Sequence, residues 1–227
     1  MERMSHSRTA SLYKSCQKSG FLYAQEHLFK HTITGQISMD RIIVEQFKVK
    51  YESLAGVVHL VADVSEVSGV VCAILKDIKA SRIALGELSY GLAGALTENC
   101  ENEGIDVLKP SYKTSELPQS IEQANAGITM AAFAIAETGT LVEFTLNDSS
   151  RLVSSLPRVH IGLVRAQDLV ETLNEAAAPI RDFYTQNQKD AVVTFISGPS
   201  RTGDIEMRLT LGVHGPETSH VIVIHSS

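Results

Sequence analysis

The sequence is poor in cysteine: its 227 residues include only Cys16, Cys72 and Cys100, and no tryptophan. The cysteines are far apart and form no C-x-x-C pair, which argues against a disulfide framework, a zinc site and a cysteine-held iron–sulfur cluster. We therefore expect free thiols in a reducing compartment. This indicates a cytoplasmic protein that itself binds no metal or cofactor.

Long apolar runs and an excess of basic residues are also lacking. No stretch of about 18 apolar residues occurs, so we expect no membrane-spanning helix. Residues 1–20 lack the apolar core of a secretory signal. Lys and Arg number 20 against 26 Asp and Glu, which gives a net charge of −6. Because nucleic-acid-binding domains usually carry a basic stripe, nucleic acid is not an expected partner.

The hydrophobic residues that are present make up 44% of the chain and suffice for one sizeable core. From residue 38 onward, short β-rich runs alternate with helical patterns of about 10–15 residues. This alternation predicts an α/β fold, a mostly parallel sheet flanked by helices. We expect residues 1–37 to form a partly helical N-terminal extension and residues 38–227 to form one α/β domain.

Periodicity and capping residues predict the individual elements. Asp40 is expected to cap a helix that presents Ile43, Phe47 and Tyr51 on one face. The β-branched residues of 191–196 predict a buried strand. Further helices are predicted over residues 66–80, 90–103, 118–125 and 168–184, and further strands over 57–61, 82–85, 105–108, 133–136, 140–144, 159–164, 205–211 and 221–224.

Three polar, glycine-bearing loops are the candidate sites, because ligands of open parallel sheets bind beyond the carboxyl ends of the strands. In the first loop, Glu137 is a candidate general base or nucleophile. Thr138 and Thr140 add hydroxyls for substrate binding, and Gly139 permits a close approach or a positive φ. The alternative is a tight β-turn with a solvated Glu137.

The second loop spans residues 197–204 and contains the G-x-x-x-x-G of a phosphate-binding loop. Its last position carries an aspartate where that motif needs a lysine, so nucleotide hydrolysis is not expected. The loop suits one carboxylate or phosphate held by an arginine fork. The alternative is a surface turn with an Arg–Asp pair. The candidate residues are Ser200, Arg201, Thr202, Asp204 and Glu206, with Asp204 counted among the catalytic candidates.

The third loop places His214 between two glycines, where it can transfer protons near neutral pH. No recognised ligand spacing links it to another histidine, so no metal site is predicted. Arg158 is a further candidate for substrate binding. His160, two residues later, is interpreted as a structural histidine whose hydrogen bonds are satisfied.

Three segments together resemble the LUD domain, the lactate-utilisation family of LutC/YkgG-type proteins. The match extends over nearly the whole chain from about residue 38, and the last segment is the most specific. Members of this family tend to carry Gly and Asp where this chain has Met130 and Ala132, so the chain departs from the family pattern at these two positions. The matching segments lie within residues 127–142, 156–161 and 197–216.

The resemblance implies a fold like that of the NagB/RpiA/CoA-transferase group. It also implies a role, with two partner proteins that hold the iron–sulfur clusters, in oxidising L-lactate to pyruvate. In related CoA transferases a glutamate before a glycine is the nucleophile, and Glu137 with Gly139 has a similar layout.

These observations leave three functional hypotheses. The first is an accessory subunit of a lactate-oxidising system, in which Arg201 clamps a small carboxylate and Glu137 or His214 accepts a proton. The second is a stand-alone transferase or isomerase acting on a CoA thioester or sugar phosphate. The third is a non-catalytic binding or regulatory protein. The first two require that the loops around Glu137, Arg201 and His214 meet at one cleft.

Overall fold

The computed structural model describes residues 33–202, 210–211 and 214–225. The helices are α1 (Ile33–Ser53), α2 (Val64–Asp77), α3 (Tyr90–Asn102), α4 (Gln119–Glu122), α5 (Asp148–Ser155) and α6 (Leu173–Gln186), with 3-10 turns at Thr114–Glu116 and Ala166–Asp168. The strands are β1 (Val57–Val61), β2 (Arg82–Leu85), β3 (Asp106–Leu108), β4 (Ala126–Met130), β5 (Phe133–Ile135), β6 (Thr140–Thr145), β7 (Val159–Arg165), β8 (Leu169–Val170), β9 (Val192–Ile196), β10 (Arg201–Thr202), β11 (Thr210–Leu211) and β12 (Thr218–Ile224).

The centre of the protein is a six-stranded sheet in the order β1-β12-β7-β4-β2-β3. All five strand pairs are parallel. The expected α/β fold with a parallel sheet flanked by helices is therefore confirmed. None of the described helices combines the length and the apolar character that crossing a bilayer requires.

A second sheet of four strands lies against one face of the first, in the order β8-β5-β6-β9. Its β5–β6 and β6–β9 pairs are antiparallel, and β5 pairs with β8 in parallel. Leu141 of β6 faces the central sheet, and its neighbour Val142 packs with Ala176 of α6 on the outer side. The second sheet is thus a buried layer between the central sheet and α6.

The two faces of the central sheet are covered differently. Helices α2 and α3 pack on one face through an aliphatic cluster. The other face meets α1, the second sheet and α5. Two glycines allow this close packing: a Cβ at Gly162 would overlap Leu141, and a Cβ at Gly127 would overlap the carbonyl oxygen of Val153 in α5. Strand β6 and helix α5 therefore reach the sheet backbone itself.

Several predicted boundaries were wrong. Asp40 lies inside α1 and does not cap it. Helix α6 begins only at Leu173, because a 3-10 turn and β8 occupy residues 166–170. Strand β9 is half-buried, with Phe195 50% exposed, since it lies at the edge of the second sheet. Strand β4 and helix α5 were not predicted, and most of the strand predicted over 205–211 lies outside the described residues.

Candidate functional site

The predicted Glu137 loop is the turn that joins β5 to the antiparallel β6. Glu137 Oε2 accepts a hydrogen bond of 3.0 Å from the backbone N–H of Leu173, at the start of α6. Gly139 has a φ of +61°, and a Cβ there would lie 2.7 Å from the backbone nitrogen of Tyr51 in α1. The positive φ expected of Gly139 is present, and the group that approaches it closely is helix α1.

Hydroxyl groups connect the first predicted loop to the second. Thr138 Oγ1 donates to Thr140 Oγ1 at 2.8 Å, and Thr140 Oγ1 lies 2.7 Å from Ser197 Oγ. Thr140 is buried. Gly198, the next residue, has a φ of +85° and packs on the carbonyl oxygen of Leu54. Both loops therefore rest on the carboxyl end of α1 and its following turn.

The second predicted loop also contacts the third. The backbone N–H of Ser200 donates to the carbonyl oxygen of Pro216 at 2.9 Å, and the Ser200 hydroxyl donates to the carbonyl oxygen of His214. The side chains of Arg201 and His214 are exposed. Arg158 forms an exposed ion pair with Glu217. Asp204, Glu206 and the side chain of Thr202 lie outside the described residues.

The strand directions correct the expected placement of these loops. Residues 214–217 precede β12, and Arg158 precedes β7, so both lie at the amino ends of parallel strands. The Glu137 turn belongs to an antiparallel pair of the second sheet. The expectation that these loops lie beyond the carboxyl ends of parallel strands was therefore wrong. Of the predicted residues, the structure brings Thr138 to Thr140 and Ser200 to the backbone of His214, whereas the Glu137 carboxylate accepts a hydrogen bond at the start of α6.

The carboxyl ends of β2 and β4 contain a different site. Strands β2 and β4 are neighbours in the sheet, but the chain leaves them in opposite directions. After β2 it continues to β3 at one edge of the sheet, and after β4 it continues toward β7 on the other side of the pair. The crevice between β2 and β4 is thus the topological switch point, where ligands of such sheets bind. A cavity of about 20 Å³ lies there, large enough for about one water molecule. Its lining residues are Gly86, Glu87, Thr129, Met130, Glu143, Phe144, Thr145 and Ser150.

Thr129 and Glu143 line this cavity, and together with His160, which contacts Thr129, they form a buried polar cluster. Their exposed fractions are 4%, 3% and 0%. The Thr129 hydroxyl donates to Glu143 Oε1 and lies 2.8 Å from His160 Nε2. Because the hydroxyl has only one proton, it must accept from His160, which assigns a proton to Nε2. The chain of donors therefore runs from the imidazole through the hydroxyl to the carboxylate.

Two buried atoms of this cluster are left over. Among the described residues, neither Glu143 Oε2 nor His160 Nδ1 has a hydrogen-bond partner. His160 is buried and hydrogen-bonded through Nε2, as expected of a structural histidine, but its Nδ1 is not satisfied among the described residues. Buried polar atoms are nearly always paired, so an unpaired carboxylate oxygen beside a cavity can accept a hydrogen bond from a ligand.

Tyr51 and Ser219 extend the polar layer between the two sheets. The Tyr51 hydroxyl lies 2.5 Å from Ser219 Oγ. Burial raises the pKa of Tyr51 to about 12, and the negative charge of Glu143 contributes in the same direction. Tyr51 therefore stays neutral at physiological pH and acts as a hydrogen-bonding group of the core.

The sequence interpretation missed Glu143 and Thr129 as site residues. One signal was present: Glu143 is the single charged residue within the apolar strand T-L-V-E-F-T. A charge at a strand position that faces the core is rare unless it is paired or functional. Thr129 gave no comparable signal, because its strand was not predicted. Met130, where the sequence departs from the family pattern, lines the cavity.

The fold and the site together define an α/β protein with a polar site at the switch point of a parallel sheet. The LUD domain model matches residues 44–224, and the chain belongs to this family. The family expected from the three sequence segments is thereby confirmed.

Relatives of known name agree with this assignment. Lactate utilization protein C of Bacillus licheniformis is 37% identical over 137 residues, which cover 60% of this chain and 57% of that protein. Lactate utilization protein C of Bacillus subtilis is 38% identical over 141 residues, with the same two coverages. The chain therefore matches a little over half the length of these relatives.

A solved structure shares the fold. The crystal structure of a DUF162 family protein from Deinococcus radiodurans has a TM-score of 0.58 and 24% sequence identity. The match covers 82% of this chain and 98% of that one. It supports the described arrangement of the sheets.

Proposed function

We propose that the protein is an accessory component of a lactate-utilisation system that oxidises L-lactate to pyruvate. In this proposal the chain binds a small carboxylate, and partner proteins hold the iron–sulfur clusters that take up the electrons. The family match over residues 44–224 carries the proposal, together with the name shared by the two Bacillus relatives. The three scattered cysteines of this chain agree with clusters held by partners.

The proposed carboxylate site is the exposed surface formed by Ser200, Arg201 and His214. The Arg201 guanidinium suits a carboxylate because its parallel N–H groups match the two oxygens. The hydrogen bond from Ser200 to the His214 backbone supports the proximity of these segments. His214 is the favoured proton acceptor because its backbone is hydrogen-bonded to Ser200, the neighbour of Arg201, whereas Glu137 accepts its hydrogen bond at the start of α6.

Growth measurements test the proposed role in lactate utilisation. A strain without this gene should lose growth on L-lactate and keep growth on glucose, and the wild-type gene should restore it. The Arg201→Gln variant should fail to restore growth, while Arg181→Gln, a change elsewhere on the surface, should succeed. Normal growth of the deletion strain on L-lactate would refute the lactate role.

The partner proposal has its own test. Affinity purification of the tagged chain from lactate-grown cells should recover a protein with the visible absorption of an iron–sulfur cluster. L-Lactate or pyruvate should raise the melting temperature of the purified chain through binding linkage. Recovery of the chain alone would contradict the partner proposal, and an unchanged melting temperature would contradict the carboxylate site.

A further inference from the structure

We propose that the switch-point cavity is a second binding site, which takes the hydroxyl group of a small ligand that carries no negative charge, and that Glu143 Oε2 is the acceptor for this hydroxyl. The site lies at the carboxyl ends of β2 and β4. The proposed carboxylate surface adjoins the amino end of β12. The inference goes beyond the proposed function and does not depend on it.

The first observation is the unpaired carboxylate oxygen. Glu143 is 3% exposed and lines the cavity with Thr129. Its Oε1 accepts from Thr129, whereas Oε2 has no partner among the described residues. Burying a charged oxygen without a donor is strongly unfavourable, so a ligand donor that enters the cavity relieves this cost.

The second observation is that the acceptor is held in place. His160 Nε2 donates to Thr129 Oγ1, and Thr129 donates to Glu143, so the carboxylate has one fixed orientation. His160 Nε2 also lies 3.7 Å from Glu143 Oε1. Glu143 is thus a preorganised acceptor, and Thr129 and His160 are positioning residues.

The charge of the lining disfavours an anionic ligand. Glu87 and Glu143 are both in the wall, and the lining contains no Lys, Arg or His. An anionic group at the inner end would be repelled by the buried Glu143 carboxylate and, more weakly, by the exposed Glu87 carboxylate.

The size of the cavity selects a hydroxyl. The volume of about 20 Å³ accepts one water-sized group. Gly86 is part of the wall, and an added Cβ there would lie 3.2 Å from Thr129 Cγ2. A side chain at Gly86 would therefore take up space beside Thr129 in this small cavity. A metal ion is not favoured, because the described residues contain no group of three or more His, Cys, Asp or Glu side chains that could hold one.

Nuclear magnetic resonance titration with lactamide and with L-lactate tests the site. Both compounds have the same hydroxyl, but only L-lactate is an anion. Lactamide should shift the Thr129 methyl and Gly86 amide signals in a saturable way. L-Lactate should leave those signals unchanged, whatever it does at Arg201 and His214. A negative result for one of the two proposed sites therefore does not count against the other.

The Glu143→Gln variant supplies the decisive comparison. Glutamine keeps the size of the side chain and an oxygen for Thr129, but it places an N–H donor where Oε2 accepted. We expect lactamide affinity to fall at least about tenfold, which corresponds to about 1.4 kcal/mol. Glu98→Gln on the exposed side of α3 should bind as the wild type does. If Glu143→Gln does not fold, Gly86→Val should fill the space beside Thr129 and abolish the shifts.

Three outcomes would overturn the inference. Absence of shifts with lactamide would mean that the cavity takes water only. Unchanged lactamide affinity in Glu143→Gln would remove Glu143 as the acceptor. Shifts of the same two signals with MgCl₂ or CaCl₂, lost in Glu143→Gln, would show a cation site instead.

Discussion

At the scale of single residues, the Thr129 hydroxyl has the most demanding role, since it serves two buried partners at once. It donates to Glu143 and accepts from His160, and all three side chains are buried. The Thr129→Val variant keeps the shape but leaves a carboxylate oxygen and a ring N–H without partners. We expect it to lower the free energy of unfolding by about 3 kcal/mol or more, because each unpaired buried group contributes about 1–3 kcal/mol.

Thr129→Ser is the matched control for this prediction. It keeps the hydroxyl and removes one methyl group, so the loss should be only about 1 kcal/mol. Urea unfolding of both variants measures the difference. The ring nitrogen signals of His160 should show a proton on Nε2 in the serine variant and a changed pattern in the valine variant. Equal losses in the two variants would show that the hydroxyl is not the important group.

His220 gives a prediction about pH. Its Nδ1 lies 3.1 Å from His59 Nε2. Burial lowers the pKa of His220 to about 4, with a smaller contribution in the same direction from His59 and an opposing one from Asp77. The unfolded chain, with its ordinary pKa of about 6.5, therefore takes up a proton first as the pH falls. Stability from this group is present above about pH 6.5 and is lost progressively toward pH 4.

His220→Asn should weaken this pH dependence, because asparagine offers His59 an acceptor oxygen and does not titrate. Urea midpoints at about pH 7 and about pH 5 should therefore differ less in the variant than in the wild type. His225→Asn, an exposed change just after the same strand, should keep the wild-type difference. A wild-type difference in His220→Asn would refute the assignment of the pH dependence to this histidine.

At the scale of elements, the site depends on how closely α5 and β6 approach the central sheet. Helix α5 rests on the backbone of β4 at Gly127, next to Thr129. Gly127→Ala should lower the free energy of unfolding by about 3 kcal/mol, at the upper end for overpacking, because the obstacle is backbone and not a flexible side chain. Gly69→Ala on the exposed side of α2 meets nothing within 4 Å and should raise stability by about 0.5–1 kcal/mol. Thermal unfolding compares the two, and a tolerated Gly127→Ala would contradict the described packing.

The elements also show which parts of the fold could be predicted from sequence. Strands such as β2, β7 and β12 are apolar and lie between recognisable helices, so local pattern defined them. Strand β4 was missed because A-G-I-T-M is short and contains a glycine and a threonine. Those two residues are the ones that admit α5 and form the buried cluster. Their roles depend on tertiary contacts, which the local hydrophobic periodicity of the sequence does not reveal.

At the scale of the whole molecule, the candidate site was harder to predict than the fold. The loops around Glu137, Ser200 and His214 are polar and rich in glycine, which favoured them as sites, but their glycines also serve packing on α1 and neighbouring turns. The switch-point site joins strands β2, β4 and β6, and Glu143 reaches it only because the second sheet folds back over the first. No single segment of the sequence specifies the order of the strands in a sheet.

Helix α1 completes the layer between the sheets, and this leads to a prediction about the domain boundary at residue 38. Val44, Phe47 and Tyr51 of α1 are buried against the second sheet and the central sheet.

A chain that begins at Ser38 keeps all three residues, so it should unfold cooperatively with nearly the full-length melting temperature. A chain that begins at Gly56 loses them. Because removal of one large core side chain destabilises by about 3–5 kcal/mol, losing all three approaches the whole stability of a typical domain, about 5–15 kcal/mol. Circular dichroism melting should therefore show a cooperative transition for the first chain and none for the second; loss of the transition in the chain from Ser38 would place the domain boundary before that residue.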